Sequence, residues 1–286
     1  LKRVLLFGGS GFLGSQVATV LEPTAVLIIV GRRQHDLVKD STAELAALIT
    51  STEPDVVVNC TGLLSGSAAD LVTGNVLTTA NLIDAVKAAA PEARLIVLGS
   101  AGEYGVVPAG QPVTEDSPTI PVAAYGITKL ASTALIQASG LDALSLRVFN
   151  PIGPGSGTDT VLGRAAACMR AAMEQGSNEI LLGPLGSYRD FVDVRDVARA
   201  IATAALAPHI GETVLNVGSG NAVLIRDAVK LLAEVAGFAG EIRESDAPQQ
   251  RSGAVNWIAA DTTRIARTLG WQPEHDLESS VRAMIS

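Results

Sequence analysis

Tyr125 and Lys129 place a phenol and an ammonium four residues apart, so that a helix running through them would carry both on one face. An unperturbed phenol ionises at about pH 10, too high for acid or base work at neutrality. A neighbouring ammonium stabilises the phenolate and brings it towards the useful range. The same ammonium can hydrogen-bond the ribose of a nicotinamide cofactor. Ser100, just past the apolar run Leu95 to Leu98, can bond a substrate oxygen and help polarise a carbonyl. Ser100, Tyr125 and Lys129 therefore offer orientation, acid and electrostatic support for hydride chemistry.

A second constellation could hold the dinucleotide. Gly8-Gly9-Ser10-Gly11-Phe12-Leu13-Gly14 follows the apolar run Val4 to Phe7 and satisfies both GxxGxxG (8, 11, 14) and GxGxxG (9, 11, 14) spacings. Glycines in such a turn let backbone N–H groups approach a pyrophosphate and let the next helix pack on the sheet, while the helix N-terminus supplies positive potential. Gly8, Ser10, Gly11, Phe12, Leu13 and Gly14 are accordingly read as the cofactor loop. Where an NAD site would carry an acidic residue for the ribose diol, this chain has Gly31-Arg32-Arg33. Arg32 and Arg33 suit a 2′-phosphate, so NADP(H) is the expected cofactor, with NAD(H) still open. Asp36 and Leu37 are candidates for the adenine edge, and Cys60, Thr61 and Gly62 for the wall of the site.

These residues need elements to position them. Short β-branched or aliphatic runs at Val4 to Phe7, Val26 to Val30, Val56 to Asn59, Leu95 to Leu98 and Leu144 to Phe149 read as strands. Helical stretches alternate with them at Gly11 to Leu21, Ala43 to Ser51, Thr78 to Ala90 and Ala124 to Ala138. That alternation predicts an α/β fold, a Rossmann doubly wound parallel sheet, with ligands at the carboxyl ends of its strands. After Asn150 the texture changes: Pro151-Ile152-Gly153-Pro154-Gly155-Ser156-Gly157 reads as loop. A smaller C-terminal substrate-binding lobe is expected from residues 151–189 and 219–286, with helices at Leu162 to Gln175 and Ile225 to Ala236. The dinucleotide domain is expected over residues 1–150 plus about 190–218, where Phe191 to Val194 and Val214 to Val217 read as short strands near the first sheet.

Composition narrows the classes. A chain of 286 residues that is 48% hydrophobic and 17% charged buries a sizeable core rather than staying disordered. Its net charge of -8 argues against nucleic-acid backbones as partners. No apolar run approaches the roughly 20 residues that span a bilayer, and no charged-then-apolar leader opens the chain, so a cytoplasmic protein without membrane contact is expected. Cys60 and Cys168 stand apart from any Cys/His cluster, and His35, His209 and His275 read as surface or loop residues, so no metal is expected.

The chain resembles the extended short-chain dehydrogenase/reductases of the NAD-dependent epimerase/dehydratase family, which act on nucleotide sugars. The resemblance rests on motifs in order along nearly the whole length: the loop at 8 to 14, Gly99-Ser100-Ala101-Gly102-Glu103-Tyr104-Gly105, Thr114 to Pro118, the Tyr125/Lys129 pair, Arg147 to Gly155, Arg189 to Val197, Asn216 to Gly220 and Leu269 to Pro273. It implies that Asn150 and Arg189 approach the diphosphate or nucleoside, that Arg251 meets the diphosphate, and that Thr78 to Ala90 and Ala124 to Ala138 pack into a homodimer interface. Similar dehydratases carry Asp-Glu where this chain has Ala101 and Gly102, which leaves no acid to protonate a departing hydroxyl. Epimerases usually keep NAD bound, whereas Arg32 and Arg33 point to exchangeable NADPH. The best match is to the GDP-6-deoxy-4-keto-mannose reductase group among the nucleoside-diphosphate-4-keto-6-deoxyhexose 4-ketoreductases. The expected activity is thus NADPH-dependent reduction of such a ketone. The alternatives are an NAD-dependent nucleotide-sugar 4-epimerase and a non-catalytic dinucleotide-binding sensor that keeps the fold.

Overall fold

Alternate residues of the first strand face opposite ways, and both sets are apolar, which requires a layer on each side. A computed structural model describes residues 1–245 and 255–285 and supplies those layers. In chain order the elements are β1 (Arg3–Phe7), α1 (Phe12–Leu21), β2 (Val26–Val30), α2 (Thr42–Thr52), β3 (Val56–Asn59), α3 (Ala68–Leu71), a π-helical turn (Val72–Leu77) and α4 (Thr78–Ala89). Next come β4 (Arg94–Ser100), a 3-10 turn (Ala101–Glu103), α5 (Ala124–Ala138), β5 (Ala143–Val148), β6 (Asn150–Ile152), α6 (Val161–Gln175), β7 (Glu179–Leu182) and β8 (Tyr188–Asp193). The rest are α7 (Val194–Leu206), β9 (Val214–Val217), β10 (Ala222–Leu224), α8 (Ile225–Ala236), β11 (Glu241–Glu244), α9 (Thr263–Leu269) and α10 (Leu277–Ile285).

The main sheet is parallel throughout, in the order β2-β1-β3-β4-β5-β9. Val4 and Leu6 of β1 pack with Val17 and Leu21 of α1 and with the apolar face of α7, while Leu5 and Phe7 pack with α2 and α4 on the other side. This is the expected doubly wound Rossmann α/β fold. A separate core joins α6, α8 and α10 around the lesser strands, which form a three-stranded sheet β10-β8-β6 and the pair β11-β7.

The structure departs from the sequence reading at three places. The strand read as ending at Leu98 runs on to Ser100, so that residue ends β4 instead of following it. Pro151 and Ile152, read as loop, belong to β6 (Asn150–Ile152), which pairs with β8. Pro151 lacks an N–H, and β6 tolerates it because β6 is an edge strand of the small sheet. The strand expected beside the main sheet, β8, joins β6 and β10. Its alternation explains the error: Val192 enters the core of the main sheet and Phe191 that of the small lobe. Among the histidines, half-buried His275 does more than occupy surface, since its Nδ1 lies 3.1 Å from the buried Asp196 carboxylate.

Asp190 clamps the small sheet to the loop after β9. Its fully buried carboxylate accepts Ser219 N and Oγ, both at 2.7 Å, Gly220 N at 3.0 Å and Ala260 N at 2.9 Å. An amide in its place turns an NH2 group towards at least one of these donors. Asp190→Asn is therefore expected to lose about 2–3 kcal/mol in denaturant unfolding, against less than about 0.5 kcal/mol for Asp84→Asn on the exposed side of α4.

Candidate active site

The three residues read as catalytic converge where β4 meets α5. Ser100 is the last residue of β4 and is largely buried. Its Oγ accepts the Gly102 N–H at 3.1 Å, which leaves the hydroxyl proton to be donated. Tyr125 and Lys129 fall in the first turns of α5, one turn apart as their spacing predicts. Lys129 Nζ lies 5.9 Å from the centre of the Tyr125 ring and donates to the Leu98 carbonyl at 3.0 Å. Burial lowers the Lys129 pKa to about 8, against the opposing pull of Glu103 and then Cys60. An ammonium poised there is protonated at neutrality yet close to releasing its proton.

The glycine loop has the geometry of a cradle for a dinucleotide. Gly8 has φ of +80°, and Gly11 N donates to the Gly8 carbonyl at 3.0 Å. A Cβ on Gly14 would lie only 2.0 Å from that same carbonyl oxygen, so the first turn of α1 can approach the loop only without a side chain there. Ser10 and Gly11 are exposed, Phe12 and Leu13 are half-buried, and α1 begins at Phe12 with its N-terminus at the loop. Opposite, a Cβ on Gly62 would come within 3.2 Å of Lys129 Nζ, which puts the turn after β3 beside the Tyr125/Lys129 pair. Thr61 is held by Asn59, whose Oδ1 accepts Thr61 Oγ1 at 2.6 Å and Thr61 N at 2.9 Å. Burial pushes the Cys60 thiol up to about 12, so thiolate chemistry is absent at neutral pH.

At the carboxyl end of β2, Arg32 and Arg33 are exposed. Arg32 Nε meets Asp36 at 3.1 Å in a solvated pair. Asp36 also accepts Val38 N at 3.0 Å, which, as the leading cause, holds its carboxyl below the usual range. The Leu37 side chain is buried in the core between the sheet and α2 and α4.

On the lobe side, Asn150 begins β6 two residues beyond Val148, the residue opposite Ser100. Its Nδ2 donates to the Asp190 carbonyl at 2.9 Å. Arg189 is next to it on β8, is buried and is pulled down to about 10 by desolvation; its Nη1 donates to the Tyr188 carbonyl at 2.8 Å. Arg251 lies outside the described residues.

Two residues that the sequence reading passed over belong to the same assembly. Asn75, in the π-helical turn before α4, donates to Thr128 Oγ1 at 3.1 Å and to the Leu63 carbonyl at 3.0 Å, while its own carbonyl accepts Ser132 Oγ at 3.0 Å. It thereby joins the turn after β3 to the helix that carries Lys129. Starting α4 at Thr78 leaves Asn75 outside any helix read from the sequence; the Gly74-Asn75 pair, unusual inside a helical stretch, was the available signal. The other is Glu103, buried beneath Ser100.

Residues 4–218 match the NAD dependent epimerase/dehydratase family. Over 99% of the chain and 94% of its own length, the dTDP-6-deoxy-L-talose 4-dehydrogenase (NAD(P)(+)) of Kitasatospora kifunensis is 35% identical. The GDP-6-deoxy-D-mannose reductase of Pseudomonas aeruginosa is 31% identical over 100% of the chain and 96% of its own. The solved structure of RMD from Pseudomonas aeruginosa complexed with NADPH superposes with a TM-score of 0.85 at 29% identity, covering 100% of this chain and 98% of that one. Among the described residues no helix is long and apolar enough to cross a membrane, and no group of three or more His, Cys, Asp or Glu could hold a metal ion.

The cradle is testable by itself. Gly14→Ala should abolish the fluorescence enhancement of NADPH on binding, because the new methyl group collides with the Gly8 carbonyl. Gly183→Ala, where a Cβ meets nothing within 4 Å, should bind as the wild type does.

Proposed function

The chain belongs to the NAD dependent epimerase/dehydratase family, and from that premise we propose that it is an NADPH-dependent reductase of a nucleoside-diphosphate-4-keto-6-deoxyhexose. The observation that carries this reading is the arrangement of Ser100 at the end of β4 with Tyr125 and buried Lys129 on α5, in a site that has Ala101 and Gly102 where a dehydratase needs acids. The relatives described above, named for redox at a 6-deoxy sugar, support the substrate class.

In this reading the loop from Gly8 to Gly14 holds the pyrophosphate and Thr61, Gly62 and Lys129 flank the nicotinamide half. The bound cofactor supplies the hydride. Ser100 donates its hydroxyl proton in a hydrogen bond to the ketone oxygen and orients it. Tyr125 transfers its phenolic proton to that oxygen as negative charge develops there. Lys129, anchored on the Leu98 carbonyl, stabilises the phenolate left behind. Asn150 and Arg189 take the diphosphate side of the substrate.

The NADPH preference is assigned to Arg32 and Arg33. The Arg32–Asp36 pair is exposed, and such pairs are worth at most about 1 kcal/mol, so little opposes turning the guanidinium onto a 2′-phosphate.

Two measurements follow. Tyr125→Phe should lower kcat by at least about 100-fold while NADPH affinity stays within about twofold; full turnover by that variant refutes the mechanism. The double change Arg32→Ala, Arg33→Ala should weaken NADPH by about tenfold or more and leave NADH within about twofold.

A further inference from the structure

Directly beneath Ser100 the chain buries a carboxylate that the proposed reaction does not use as a reacting group. Glu103 is fully buried. Its Oε1 accepts the Ser100 backbone N–H at 2.9 Å and the Thr133 hydroxyl at 3.1 Å, and its Oε2 takes Arg147 Nε at 2.7 Å. Thr133 lies on α5 one turn beyond Lys129, and Arg147 lies on β5 opposite Gly99 of β4. One carboxylate thus ties together the Ser100 turn, the helix of Tyr125 and Lys129, and the next strand. Gly99 leaves the room for it, since a Cβ there would sit 2.6 Å from Oε1. Arg147 is itself fixed, donating to the Tyr104 hydroxyl at 3.1 Å and to the Glu115 carbonyl at 3.2 Å, with its guanidinium 4.8 Å from the centre of the Tyr104 ring.

A buried ion pair is a weak source of stability, because desolvation offsets much of the attraction. Its use here is geometric and electrostatic. Building on the reading of Ser100, Tyr125 and Lys129 as the catalytic set, we propose that Glu103 is the positioning residue of that set, fixing Ser100 against α5 and acting as the counter-charge of the Lys129 ammonium.

The other groups around Lys129 do not take that role. Cys60 is a neutral thiol at working pH, Tyr125 is the proton donor, and Arg147, beyond Glu103, is a cation. Asp70 on α3 is engaged by its own cap residue Ser67, and Asp84 and Lys87 of α4 face solvent. Glu103 is also the foremost group opposing the fall of the Lys129 pKa towards about 8. Replacing it with glutamine removes a negative charge and leaves Arg147 unneutralised, and both changes favour neutral lysine. The alkaline fall in activity must then begin at lower pH.

The test measures NADPH-dependent reduction of freshly dehydrated dTDP-glucose and GDP-mannose across about pH 6 to 9.5, for wild type, Glu103→Gln, Thr133→Val and Tyr125→Phe. Glu103→Gln should lower kcat by about tenfold or more, keep KM for the sugar nucleotide within about threefold, and move the alkaline limb down by on the order of one pH unit. Thr133→Val, which removes an anchor but no charge, should lower kcat by about threefold on an unmoved limb. A Glu103→Gln protein with wild-type kcat, or with a lower rate on an unmoved limb, overturns the proposal. If Glu103→Gln fails to fold by circular dichroism, wild-type kcat in Thr133→Val overturns it instead. Turnover by Tyr125→Phe is the separate result that removes the catalytic set itself.

Discussion

The candidate site depends on one costly act, the burial of the Lys129 ammonium. A cation taken out of water must be met by dipoles or an opposite charge, or it loses its proton. Here the Leu98 carbonyl at 3.0 Å supplies the dipole, and the negative charge of Glu103 opposes the drop in pKa. The need to satisfy this one group draws the end of β4, the 3-10 turn after it and α5 into a common arrangement. Ser100 and Tyr125 are placed by the same elements, so the three side chains converge.

The sheet makes this arrangement durable. The strands that lead into the glycine loop, the turn of Cys60, Thr61 and Gly62, and Ser100, namely β1, β3 and β4, lie inside a parallel sheet covered on both faces, and their carboxyl ends open onto the same edge. The glycine loop at one strand end and Ser100 at another therefore stand in fixed register. The small lobe is tied to that edge by backbone pairing: β6 continues from β5 and pairs with β8, and the Asp190 carboxylate fastens the loop after β9.

How much of this was legible in the sequence follows from range. The main strands and helices announce themselves by local runs and periods, and β2, β3, α5 and α8 fall where those patterns put them. The Tyr125/Lys129 spacing and the glycine loop are local too. Glu103 was not legible, because what gives it meaning lies at Thr133 and Arg147, 30 and 44 residues away. Nothing near Glu103 marks it as buried. The same holds for the pairing of β6 with β8: β8 was read as a strand at Phe191 to Val194, but its partner lies about 40 residues away and its own side chains divide between two cores. Asn75 was hidden for a different reason: its π-helical turn breaks the period by which helices are recognised.

The central claim is net reduction of a keto-sugar nucleotide, and the most direct measurement is the absorbance of reduced nicotinamide. Purified protein is mixed with NADPH, and separately with NADH, in the presence of freshly dehydrated dTDP-glucose or GDP-mannose. The account predicts stoichiometric oxidation of the cofactor, faster with NADPH than with NADH. No oxidation with either cofactor, from a protein that carries tightly bound NAD as isolated, would contradict it and identify an epimerase working through the same residues.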